Sequence, residues 1–202
     1  MPNNFSRCLV ALAMLFCCHG CIESEHALSD PDSAELVLEL MGTWIQDPPD
    51  DESLWTIAAT GDGFPKGMHR LTVVENGRTE GKLFFVSNIG DRHYANILNF
   101  EDDSSLPTTW QPKLIKNYTL IQFEVKDSSA KLLEIKETVL EASIRKGELR
   151  GRESKQPDVL EFDLESDVDA WLSSPTLELN RYFGSNGKLL TGKAWMKYQK
   201  QK

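Results

Sequence analysis

Asn76-Gly77 lies between "MHRLTVVE" and "RTEGKLFFVS", and both residues tolerate the positive φ that a tight two-residue hairpin demands. The flanking segments are therefore antiparallel neighbours. In "TLIQFEV", Thr119, Ile121, Phe123 and Val125 alternate with Leu120, Gln122 and Glu124, the period of a strand with a buried face. A turn at "NIGD" leads into "RHYANILNF", so three successive strands form an antiparallel meander without crossover helices.

Helices are expected at three places. Ser29 or Asp30 caps the first, Pro31 suits its opening turn, Ala34, Val37, Leu38 and Met41 recur at helical spacing, and Gly42 ends it. In the second, Thr138 and Glu141 have the spacing of a capping box, Val139, Leu140 and Ile144 share a side, and Gly147 closes the segment. In "SDVDAWLSSP", Ser166 and Asp169 cap a short helix that buries Val168, Trp171 and Leu172 before Pro175. The chain then returns as a closing strand, "KLLTGKAWMKY". About nine strands with two or three short helices make a mainly β fold, an antiparallel barrel or strongly curved sheet. Hydrophobic content of 40% and charged content of 26% suit one ordinary globular domain.

All four cysteines fall within the first 21 residues, so no disulfide framework holds the rest together. Arg7 precedes an unbroken apolar stretch from Cys8 to Cys18, which has the form of a signal-peptide core. It is shorter than the roughly 20 residues a membrane-spanning helix needs. The following "CHGC" resembles the lipobox of bacterial lipoproteins, with Gly20 before the cysteine that receives diacylglycerol, Cys21. Cys18 and His19 depart from the usual leucine and small residue, and a second register with Leu15, Phe16 and Cys17 ahead of Cys18 is the alternative. An ordinary secretory leader is the other reading of this stretch. The preferred organisation is a signal peptide at 1–20, a lipidated tether at 21–30 and a β domain at 31–202. The resemblance implies a lipid anchor in the bacterial cell envelope. With Ile22 rather than aspartate after Cys21, it implies the outer membrane where there are two.

"LMGTW", a helix leading into Gly42-Thr43-Trp44 at the first strand, resembles the opening of lipocalin-like barrels. The order of elements from Leu36 to Tyr198, including a second tryptophan strand around Trp55 and a capped helix before the last strand, is similar to bacterial lipocalin-like proteins of uncharacterised function. The resemblance implies structural roles for Gly42 and Trp44, and a basic residue over the tryptophan, for which Arg181 and Lys193 are candidates.

With 22 Lys+Arg against 31 Asp+Glu, the chain repels phosphate backbones, so nucleic acid is not an expected partner. His69 and His93 can approach one another near Asp91 on neighbouring strands, but no pair of histidines has the spacing of metal ligands on one element. There is no Gly-x-Ser-x-Gly elbow and no cysteine nucleophile beyond the leader. "DPPDDE" and "EDDSS" lack the glycine and spacing of a calcium loop, and "GDGFPKG" reads as a flexible connection rather than a phosphate cradle. No cofactor, metal or catalytic residue is expected, and the domain reads as a non-enzyme. Two functions remain. A closed sheet of about eight strands can enclose a small apolar or amphipathic ligand, with Trp55, Phe84, Phe85, Tyr94 and Trp110 as its lining. Alternatively the barrel is filled by its own side chains and serves as an interaction or scaffold module for a protein partner at the membrane surface. An apolar interior cavity discriminates between them.

Overall fold

A computed structural model of the chain describes residues 22–47, 53–100, 106–153 and 170–201. The expected signal peptide, Cys21, the acidic turns at 48–52 and 101–105, and the proposed helix residues Ser166, Val168 and Asp169 lie outside them.

Eight antiparallel strands close into a barrel: β2 (Gly42–Gln46), β3 (Leu54–Ala59), β4 (Met68–Glu75), β5 (Arg78–Ile89), β6 (Arg92–Phe100), β7 (Ile115–Lys126), β8 (Ser129–Ile135) and β11 (Thr191–Lys200). They run as a meander in which β11 pairs with β8 and with β2, completing the ring. Three short strands extend the sheet beyond the ring: β1 (Ile22–Ser24), β9 (Gly151–Glu153) and β10 (Ala170–Leu172). The expected hairpin is present, with φ of 49° at Asn76 and 73° at Gly77 and all of β4 paired to β5 in one register.

Alternation sorts the side chains between two cores. Phe84 and Val86 of β5 point into the barrel with Leu71, Ile97, Ile121 and Phe123, whereas Leu83 and Phe85 join Met68 and Leu98 on the outer face. The outer face is covered by the chain ahead of β2 and by two helices, α1 (Glu137–Arg145) and α2 (Thr176–Leu190). The central strands are therefore apolar on both sides.

The N-terminal helix expected from Pro31 to Met41 does not form. Two 3-10 turns, Pro31–Ser33 and Leu38–Leu40, take its place, and Asp30 caps the first by accepting from the Asp32 N–H at 2.9 Å. The apolar residues serve different cores: Ala34 packs on the outer face, Val37 and Leu40 at the barrel interior. One straight helix cannot supply both. Backbone closeness also matters, because a Cβ on Gly67 would lie 2.3 Å from the Ala34 carbonyl oxygen.

The segment expected as a free tether is folded. Ile22 starts β1, which pairs antiparallel with β7 and parallel with β10, and Ile22, Ala27 and Leu28 are buried. Asn96, buried on β6, accepts the Leu28 N–H at 2.8 Å and donates to Ser87 Oγ at 2.8 Å, and Ser87 in turn meets Ser29 Oγ at 2.6 Å. Asn96→Ala leaves a buried N–H without an acceptor, a loss of about 1–3 kcal/mol. Urea unfolding should show a lower midpoint with an unchanged slope.

α1 forms where expected, with Leu140 buried and Gly147 at φ 74° beyond its end, but Lys136 occupies the N-cap and no side chain caps it. Trp171 and Leu172 belong to strand β10 rather than a helix, because β1 and β9 supply pairing partners on both sides. The helix falls after Pro175 instead. α2 buries Leu179, Tyr182, Phe183 and Leu190, and the expected closing strand begins at Thr191 rather than Lys188.

Candidate functional site

One end of the barrel is closed. Trp44, only 2% exposed, donates its indole N–H to the Leu40 carbonyl at 2.8 Å, which fixes the Leu38–Leu40 turn over the interior. Lys200 lies over the indole with Nζ 5.4 Å from the ring centroid, and the same ammonium donates to the Glu39 carbonyl at 3.1 Å. Neither Arg181 nor Lys193 takes this role, since both are exposed elsewhere. Lys200 reaches it because β11 pairs with β2 in a register that sets Lys200 opposite Trp44. Gly42 sits at φ 125°, and a Cβ there would lie 2.8 Å from Lys200 Cε. The backbone conformation is what favours glycine here, since the lysine end is flexible and could shift.

Above this floor lies a cavity of ≈ 70 Å³ with a wall of apolar and aromatic residues from all eight barrel strands. Trp44, Trp55, Phe84, Phe123, Leu132 and Tyr198 are prominent in it. Trp55 and Tyr198 stack at 4.5 Å with 37° between their planes. Roughly 10–15 Å³ admits one water-sized group, so the space takes a slender chain of a few such groups, and a wall this apolar does not hold water well.

Of the residues expected to line an interior, Trp55 and Phe84 do. The other three do not. Phe85 alternates to the outer face, where it meets Tyr118 edge-on at 6.3 Å, and half-buried Trp110 packs in the same outer cluster. Tyr94 is buried beneath α2 against Phe183, 5.3 Å away, and burial pushes its phenol up to about 12. The pairing of Phe84 with Ile97, and alternation along β7 through Ile121 and Phe123, identify the other wall residues. Leu40 and Tyr198 required the closing register.

His69 and His93 do not come together. β5 separates their strands, and His69 faces Phe84 in the register while His93 faces Asn88. His93 stacks on Phe123 at 5.6 Å and its Nδ1 meets Asn88 Oδ1 at 2.7 Å. His69 is fully buried, stacks on Phe84 at 4.8 Å, and accepts the Val37 N–H at Nε2 over 3.3 Å. Burial holds its imidazole below the ordinary 6.5, with the neighbouring backbone acting the other way. The unfolded chain then takes up a proton that the folded ring refuses, so stability is undiminished above pH 6.5 and falls as pH drops below it. Melting temperatures recorded from neutral pH downward should show this slope, and His69→Gln should flatten it.

Among the described residues no group of three potential metal ligands converges, and no helix is long and apolar enough to cross a membrane. The fold and its interior define a lipocalin-like antiparallel barrel, closed at one end by a 3-10 turn and a buried tryptophan. No family model, no curated protein and no solved structure matches the chain.

Proposed function

We propose that the protein is a bacterial envelope lipoprotein, anchored through Cys21, whose barrel holds a slender apolar or amphipathic molecule. The observation that carries the binding reading is the apolar cavity to which every barrel strand contributes. The anchor reading rests on "CHGC" at the end of the apolar leader.

A fluorescent fatty-acid analogue should bind the purified protein with saturation at one site, and Ala130→Phe, which fills the cavity from β8, should abolish binding while the fold persists. Binding that does not saturate, or that survives Ala130→Phe, moves the function to the self-filled interaction module. That alternative is favoured by how much of the interior Trp44, Trp55, Phe84, Phe123 and Tyr198 already occupy. A clickable palmitate analogue tests the anchor: incorporation should be lost in Cys21→Ser and kept in Cys18→Ser. The reverse pattern assigns the lipid to Cys18, and no incorporation in the parent makes this a secreted protein without an anchor.

A further inference from the structure

Toward the barrel end opposite the Leu38–Leu40 turn, the apolar lining gives way to a polar collar. Asn99 lies two residues beyond Ile97 on β6, and Thr119 and Asn117 lie two and four residues before Ile121 on β7, all on the interior-facing parity. One such step is about 7 Å. Glu23 joins them from β1, opposite Thr119 in the register. Asn99 Nδ2 donates to Asn117 Oδ1 at 2.6 Å and to Thr119 Oγ1 at 2.9 Å, and Asn117 Nδ2 donates to Glu23 Oε2 at 3.1 Å.

This chain of bonds leaves acceptors over. Glu23 Oε1 and Asn99 Oδ1 have no donor among the described residues. Lys82 and Glu80, on the interior-facing parity of β5, pair with each other at 3.0 Å, and Lys116, beside Asn117 on β7, is the cation that acts on Glu23. Glu23 is half-buried, and burial raises its carboxyl above the usual range while Lys116 acts in the opposite direction. A group whose folded pKa is raised works against the fold at neutral pH, where it must ionise. Glutamine would accept the same bond from Asn117, so that bond does not itself require a charge.

We propose that Glu23, Asn117 and Asn99 form the head-group site of the barrel, selecting amphiphiles whose head donates hydrogen bonds, alkylammonium first and alkanol second, over carboxylates. This rests on the reading that the cavity binds a ligand. A carboxylate head would meet the Glu23 carboxylate, whereas an ammonium carries donors for the spare oxygens of Glu23 and Asn99.

Titration calorimetry with decylammonium, decanol and decanoate, each below its micelle concentration, tests it on the purified protein. Decylammonium should bind about tenfold or more tighter than decanoate, the effect of one hydrogen bond to a charged group. Glu23→Gln should remove that preference, and Asn99→Ala should weaken both decylammonium and decanol. Glu23→Gln should also melt no lower than the parent at neutral pH, which keeps the comparison among folded proteins. Decanoate binding as tightly as decylammonium overturns the collar and leaves the cavity reading intact. A preference for ammonium that both variants retain also overturns it. If none of the three binds, the cavity reading falls and the collar with it.

Discussion

Trp44→Ala is expected to destabilise the fold by about 3–5 kcal/mol, the range for emptying a large aromatic site in a packed interior. Three things leave together. The indole fills the floor of the barrel, its N–H holds the Leu40 carbonyl, and its face carries the Lys200 ammonium. Melting temperature should fall by about 2–4 °C for each kcal/mol in a chain of this size. Lys200→Met keeps most of the stem packing and removes the charge, so it should cost much less. A Trp44→Ala protein melting within a degree or two of the parent would mean that the closed end contributes nothing to stability.

Phe183→Ala should cost about as much, 3–5 kcal/mol. The ring is fully buried, lies edge-on to Tyr94 of β6 at 5.3 Å and to Tyr182 of the same helix at 6.3 Å, and packs α2 on the outer face of the barrel. Its loss should also free the helix it anchors. Circular dichroism should report helix melting ahead of the sheet. If stability and helix content both survive, α2 is held by Leu179 and Leu190 instead.

The barrel was legible because its rules are local. The Asn76-Gly77 turn, the alternation through β7 and the "GTW" start each depend on a few neighbouring residues, and each led to the right strand or the right buried side chain. α2 was missed for the opposite reason. Leu179, Tyr182, Phe183 and Leu190 have helical spacing, but Asn180, Gly184, Asn186 and Gly187 dilute the propensity of the segment. At Gly187 the Arg92 side chain crosses the helix, with Nη1 2.6 Å from where a Cβ would stand. That is a contact from a distant strand, invisible in the local pattern. The site was half legible: Trp55 and Phe84 are in the wall, but adjacent aromatics such as Phe84 and Phe85 have opposite directions that only the register decides. Glu23 and Lys200 reach the barrel's two ends through pairings between segments far apart in sequence.

β1 also has a mechanical meaning. It lies between β7 and β10 with its axis along theirs, and the hydrogen bonds on both sides run across that axis. A load applied ahead of Ile22 and directed along β1 strains these bonds together in shear, rather than peeling them one by one. Asn96 and Asn180 add a second hold just behind the strand by clasping the Leu28 N–H and carbonyl. A pull on the chain ahead of Ile22 would thus pass into the barrel wall as a distributed load.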